Sequence, residues 1–325
     1  MHRKAFGAGL AFVVCAFALS AQAAEKIRLG HSQATEESLW LMDTPGGVTP
    51  NRGKAYDAEF IPFRSASDRF KAFEAGQLEC GTGTAISLIF AAANGVKFKA
   101  LASISKESSK GAVSELTVRD DGQIKTIADL KGKLIALNGF KSATELYAHA
   151  AMLKAGLDPK RDARYTVVPF PQMADQLRAG QVDLVMLIEP FTSAEKKKPG
   201  LRQLFTSREA LPFDEDLQTL YCGEEIIKKN PAAVKAFVAD FIATTKAYLA
   251  DVKAARKHLI AAKKVRIDEA VFLDLPDNYR DPEGRLFAED WNKLQDVMIK
   301  TGFQEANTRF DAKSIIDQSF LPSGK

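Results

Sequence analysis

Phe60-Ile61-Pro62-Phe63 leads through a short helical stretch to Ala75-Gly76-Gln77-Leu78-Glu79, and about a hundred residues later Val167-Val168-Pro169-Phe170 leads to Ala179-Gly180-Gln181-Val182-Asp183. Each copy reads as strand, helix, glycine stop and strand. Phe70 and Phe73 lie three apart and Met173 and Leu177 four apart, so each intervening helix carries one apolar stripe. Gly76 and Gly180 fall where a helix closes in a left-handed cap. Two such α/β units predict two similar lobes, and a cleft between two lobes predicts binding.

The same alternation extends outward. Strands are expected at 26–30, 56–63, 78–81, 98–105, 115–118, 133–137, 165–168 and 184–188. Helices are expected at 85–94 and 142–155, the latter with Ser142 and Glu145 in capping-box spacing. Strands alternating with helices imply mostly parallel sheets covered on both faces. From about Gln218 the pattern changes. Leu220-Tyr221-Cys222 reads as a strand, and Asn230-Pro231 opens a long helix. No third copy of the phrase follows. We therefore expect residues 217–325 to pack back on residues 25–112 as one lobe, with 113–216 inserted as the second. Two crossover segments near 106–115 and 206–219 would join them.

The N-terminus has its own signature. Arg3-Lys4, an apolar run from Ala5 to Leu19 and the small-residue site Ala21-Gln22-Ala23 predict a secretory signal peptide over residues 1–24, cleaved after Ala23 or Ala24. The run is short for a membrane span. Val14 before Cys15 is bulkier than a lipid-anchor site uses. The expected product is periplasmic. Of 45 basic residues, removing Arg3 and Lys4 leaves 43 against 41 acidic ones, which gives no reason to invoke nucleic acid. Lys196-Lys197-Lys198 is expected to be a solvated loop. Cys80 and Cys222 remain after cleavage. Buried free thiols are the plainer reading, because both lie on expected strands, although an oxidising compartment permits a disulfide.

Catalytic signatures are absent. His31, His149 and His258 are not in metal-ligand spacing, and there is no Walker loop and no Gly-x-Ser-x-Gly elbow. No metal, cofactor or catalytic residue is expected. In open α/β sheets ligands collect at the carboxyl ends of strands. Four segments fall there: Gly30-His31-Ser32; Thr82-Gly83-Thr84; Asn138-Gly139-Phe140-Lys141-Ser142; and Glu189-Pro190-Phe191. The third precedes a helix, whose free N–H groups and dipole form an anion seat, with Lys141 adding charge. Gly83 would let a ligand approach the backbone. Trp40 and Arg64 complete the candidates. Each residue also has a plainer role: Ser142 as a cap, Trp40 and Phe191 as packing, Arg64 as surface, Glu189 as a backbone acceptor, His31 as a polar loop residue.

Further motifs carry a resemblance. Asp129-Leu130-Lys131-Gly132-Lys133-Leu134-Ile135-Ala136, Leu153-Lys154-Ala155-Gly156-Leu157-Asp158-Pro159, Leu187-Ile188-Glu189-Pro190 and Asp317-Gln318-Ser319-Phe320-Leu321-Pro322 resemble the periplasmic solute-binding proteins of ABC importers for nitrate, sulfonate, taurine and bicarbonate. The binders of thiamine-pyrimidine precursors belong to the same superfamily. Ile188 stands where Trp is common and Glu79-Cys80 where Asp is usual. The resemblance implies a two-lobed periplasmic-binding-protein fold of the second type, acting as a monomer with a membrane permease. A small organic anion, sulfonate- or carboxylate-like, is the expected ligand. The alternatives are a neutral heterocycle held by Glu189, a pyrimidine-synthase-like enzyme (its cysteine-rich motif is absent here) and a sensory receptor. Titration against a ligand panel separates the anion from the heterocycle, turnover would reveal the enzyme, and the transport phenotype of a deletion bears on the receptor.

Overall fold

The computed structural model describes residues 24–322, so the expected leader lies outside the described residues apart from Ala24. The strands are β1 (Glu25–His31), β2 (Tyr56–Pro62), β3 (Cys80–Gly83), β4 (Phe98–Glu107), β5 (Glu115–Arg119), β6 (Lys133–Leu137), β7 (Ala163–Val167), β8 (Val185–Leu187), β9 (Leu201–Thr206) and β10 (Glu215–Gly223). The first sheet has the order β2-β1-β3-β10-β4. β1 runs parallel to β2 and β3, and β10 runs antiparallel to β3 and β4.

The second lobe repeats this plan. β6 pairs parallel with β7, and β5 pairs antiparallel with β8 and β9. A parallel bridge between Ile135 and Leu184, with Ala136 N–H donating to the Leu184 carbonyl at 2.9 Å, joins β6 to the segment entering β8. The resulting order, β7-β6-β8-β5-β9, matches the first sheet, with β5 in the place of β10. The duplicated phrase supplies the equivalent units β2–helix–β3 and β7–helix–β8. Their helices, Ala66–Glu74 and Phe170–Arg178, end at Gly76 and Gly180, whose φ values are 70° and 71°. Phe70 stacks on Tyr221 and Phe73 meets its edge, while Met173 and Leu177 are fully buried. Both apolar stripes therefore face their sheets.

The C-terminal part contacts the first lobe. Asn230 caps the helix Pro231–Ala250, whose Phe237 and Phe241 pack with Ile27, Leu29, Leu101 and Leu220. Farther on, the Ile315 carbonyl accepts from Ala100 N–H on β4 at 2.7 Å.

Several expectations need correction. β9 was not expected, and β10 begins three residues before Gln218. β3 starts at Cys80 rather than Leu78 and runs on through Thr82 and Gly83. Cys80 and Cys222 are bridged. They face each other across the antiparallel β3–β10 pair with Cα atoms 4.0 Å apart. Strands do suit a bridge when the two cysteines are direct partners at a close pair of the ladder.

The crossovers run side by side, with Glu107 opposite Glu215. Glu107 accepts from Ser114 N–H at 3.0 Å and from the Ser207 hydroxyl at 2.6 Å, tying both chain entries of the second lobe to β4. Asp216 takes Lys106 Nζ, the Ser103 hydroxyl and Trp291 Nε1. Among the described residues Glu215 receives only the Tyr147 hydroxyl, and its second oxygen is buried without a partner. Burial first, then the charges of Glu107 and Asp216, push its carboxyl well above 4.5. The folded state thus holds a proton that the unfolded chain releases, and this group's contribution to stability falls as pH rises above about 4.5. Glu215→Gln, which keeps a neutral partner for Tyr147, should raise Tm at pH 8 and lose that advantage toward pH 5 in calorimetry. A gap that stays constant across this range contradicts the assignment.

Candidate functional site

The carboxyl ends of the parallel strands in both lobes meet around one interlobe cavity. The first lobe supplies Ser32 after β1, Ala66 and Arg69 from the helix after β2, Thr84 and Ser87 after β3, and Gln218 from β10. The second supplies Asn138, Ser142, Ala143 and Thr144 after β6, Phe170 after β7, and Met186 and Ile188 around β8. The enclosed volume is about 20 Å³.

Arg69 is the charged group of this cavity. It is 3% exposed, and its Nε donates to the Thr82 carbonyl at 2.7 Å. The two terminal guanidinium nitrogens make no hydrogen bond or ion pair among the described residues. A buried cation normally carries a carboxylate partner, because desolvating an unpaired charge costs several kcal/mol. Glu36 feels the Arg69 charge. Burial nonetheless pushes its carboxyl up to about 7, so it is not a fully ionised counterion at neutral pH. Ser32 N–H donates to Glu36 at 2.9 Å, which places this acid behind the strand end.

Opposite Arg69 lies the start of the helix Ala143–Lys154. Ser142 is its N-cap residue, but the expected capping box does not form. The Ser142 hydroxyl makes no cap bond and is buried without a partner. Glu145 turns to Lys141 N–H at 2.5 Å instead. The first turn of this 12-residue helix thus has no side-chain cap from Ser142, and Ser142, Ala143 and Thr144 line the cavity. Asn138 Oδ1 and Gln218 Oε1 are likewise unpartnered. A guanidinium facing a helix N-terminus gives donors from both lobes to one small acidic group, while Phe170, Met186 and Ile188 form an apolar wall.

The sequence candidates divide accordingly. Ser32, Thr84, Asn138 and Ser142 line the cavity. Thr84 mainly caps its own helix through Ser87 N–H at 3.0 Å, and Thr82 serves by holding Arg69. Gly83 faces Leu88 and Phe70 at ordinary contact distance, so its lack of a side chain is not for a ligand. Gly139 abuts Ser67 of the first lobe, where an added Cβ would stand 2.9 Å from the hydroxyl. Phe140 is 55% exposed, and Arg64 is exposed. The Lys141 ammonium lies over the rings of Phe90 and Phe303. Trp40 packs in a separate cluster with Tyr248, Leu259 and Phe272. Glu189 accepts from the Ser193 hydroxyl at 2.9 Å, and Phe191 stacks behind Phe170.

His31 lies outside the lining, with Trp40 Nε1 and the Ser32 carbonyl 3.1 and 2.7 Å from the same Nδ1. Trp can only donate and a carbonyl only accept, so one nitrogen satisfies one of them at a time. Reasoning from sequence missed Arg69, Ser87, Thr144 and Phe170. The signal for Arg69 was available: it lies one residue before Phe70 in the first duplicated helix, on a turn that follows the strand end.

With this geometry in view, the comparisons with known proteins become specific. A family model described as NMT1-like matches residues 20–263. The chain belongs to the NMT1-like family. A protein of Escherichia coli (strain K12) named as an aliphatic sulfonates-binding protein is 23% identical over 229 residues, covering 70% of this chain and 69% of its own. Among solved structures, the alkanesulfonate-binding protein SsuA from Xanthomonas axonopodis pv. citri, bound to MOPS, has a TM-score of 0.74 at 17% identity, covering 91% of this chain and 99% of its own. The periplasmic nitrate-binding protein NrtA from Synechocystis PCC 6803 has a TM-score of 0.74 at 12% identity, covering 91% and 87%. At these identities the likeness is one of fold. It is the α/β periplasmic-binding-protein architecture, with mixed sheets and flanking helices.

Burial also sets the charge of His31 and His149. It pushes both His31 and His149 down to about 4, so neither supplies positive charge at neutral pH and Arg69 stands alone in that role within the lining. Both groups bind fewer protons folded than unfolded between pH 4 and 6.5, so their contribution to stability is lost as pH falls through that window. Proton NMR titration of the histidine rings should place two midpoints near 4. A midpoint for His31 above 6 contradicts its neutral burial.

Proposed function

We propose that this chain is the substrate-binding component of an ABC importer, capturing a small organic anion between its lobes and delivering it to a permease. The observation that carries this reading is Arg69, a buried guanidinium without an ion-pair partner among the described residues, facing the uncapped start of the Ala143–Lys154 helix across the interlobe cavity. The anion's acidic group would bridge the lobes, with Arg69 on one side and Ser142 and the helix N–H groups on the other. Binding energy that exists only when both sides engage favours closure. Phe170, Met186 and Ile188 would receive a short organic tail. A cavity of about 20 Å³ has room for roughly one water, so any such ligand requires the lobes to part for entry and side chains to shift on capture.

The naming of relatives as sulfonate- and nitrate-binding proteins supports an acidic ligand, and binding without turnover is the role we assign. We place the lobe boundaries at residues 25–112 with 217–325, and at 113–216. The crossovers at Glu107–Glu115 and Thr206–Glu215 support this division. The N-terminal signature and the Cys80–Cys222 bridge support export to the periplasm, because disulfides persist in oxidising compartments. No helix among the described residues is long and apolar enough to cross a membrane. We assign the monomer as the working unit.

Titration calorimetry against ethanesulfonate, propionate, sulfate, nitrate and a neutral aminopyrimidine tests the proposal. At least one anion should bind, and Arg69→Met should weaken it by about 10- to 100-fold, the size of a lost charge-assisted hydrogen bond. Binding of the aminopyrimidine alone, or full anion affinity in Arg69→Met, contradicts it.

A further inference from the structure

The loop that carries the helix start also touches the first lobe outside the anion seat. Lys141 Nζ stands 5.1 Å from the ring centroid of Phe90, near the end of the Ala85–Ala93 helix, and 4.7 Å from that of Phe303, which follows the helix Ala288–Lys300. Those two rings meet edge to face with centroids 6.5 Å apart, forming one aromatic platform. The ammonium makes no ion pair among the described residues. Lys141 has a left-handed backbone, φ 57°, a conformation uncommon for a long side chain. Its carbonyl accepts from the Ser87 hydroxyl of the first lobe at 3.1 Å. Its N–H is held within the second lobe by Glu145.

We propose that Lys141 is a closure clasp rather than a ligand contact. The ammonium crosses the interlobe gap and docks on the Phe90–Phe303 platform, an attraction that exists only while the lobes are together. Its free energy is added to the closed state and raises the apparent affinity for any ligand that needs closure, without a contact to that ligand. A cation over an aromatic face is attracted by the ring quadrupole, and the size of that attraction corresponds to about a 2- to 30-fold change in the ratio of closed to open molecules. Lys141 is thus a positioning residue. The inference rests on the two-lobe capture reading for its purpose, but its test does not depend on which solute is captured.

The test is an interlobe distance distribution from pulsed electron resonance, with spin labels on Lys54→Cys and Arg164→Cys, one exposed site on each lobe. It is recorded without ligand and with ethanesulfonate in excess. Lys141→Met should move population toward the longer distance, and Phe303→Leu and Phe90→Leu should each do the same. The double variant Lys141→Met/Phe90→Leu should shift no further than either single change, because both remove one contact. Lys141→Arg should retain the parent distribution. Phe90 is only half-buried, so its variant keeps the test valid even where Phe303→Leu disturbs the core. Unchanged distributions in Lys141→Met under both conditions overturn the proposal. So does a Lys141→Met shift seen only with ethanesulfonate while Phe90→Leu behaves as the parent, which would make Lys141 a ligand group. Failure of the anion reading shows separately, as absent binding in the parent protein.

Discussion

A positive charge buried without a negative partner is the constraint around which this molecule is organised. Arg69 is almost wholly out of water, and its one described hydrogen bond runs from Nε to a backbone carbonyl. A guanidinium so far out of water carries a desolvation cost that a bound anion would offset. The arrangement fits the anion capture proposed above, in which the ligand supplies the missing negative charge. The same logic explains why Glu36, the buried carboxyl that could neutralise it, is held partly protonated by its surroundings.

The rest of the fold serves to bring a second set of donors up to that charge. Two sheets of the same strand order point the carboxyl ends of their parallel strands at one another, and the helix Ala143–Lys154 aims its uncapped start across the gap. The joint between the sheets is a narrow pair of strands in which Glu107 stands opposite Glu215 and the neighbouring Asp216 pairs with Lys106. That helix is tied to the joint by Tyr147, which donates to Glu215. The helix proposed to meet the ligand and the strands that cross between the lobes thus share a hydrogen bond.

Much of the architecture was legible in the sequence because local signals agreed with the global plan. The duplicated strand–helix–Gly–strand phrase, the apolar stripes and the two left-handed glycines all marked equivalent units, and these units fold equivalently. Of the four expected strand-end segments, Ser32, Thr84, Asn138 and Ser142 line the interlobe cavity. The charge-bearing residue was harder to read. Lys141 sits in the right loop, but its side chain follows the aromatic platform rather than the cavity, a tertiary preference that spacing along the chain does not encode. Arg64 and Arg69 are one helical entry apart. Only the turn of the helix after Ser65 decides that the first points to solvent and the second inward. Glu145 looked like half of a capping box, yet the left-handed backbone at Lys141 offers it a different N–H. The disulfide was underrated because strand membership alone says nothing of register, and direct opposition of Cys80 and Cys222 is a property of the β3–β10 pairing.

The central claim is that an acidic group is held between Arg69 and the start of the Ala143–Lys154 helix. The most direct measurement is a crystal structure with ethanesulfonate or the tightest-binding anion of the panel. The account predicts the acid oxygens within about 3 Å of the Arg69 guanidinium and of the N–H groups of Ala143 to Glu145. An anion bound elsewhere with Arg69 turned onto the Glu36 carboxylate would contradict it.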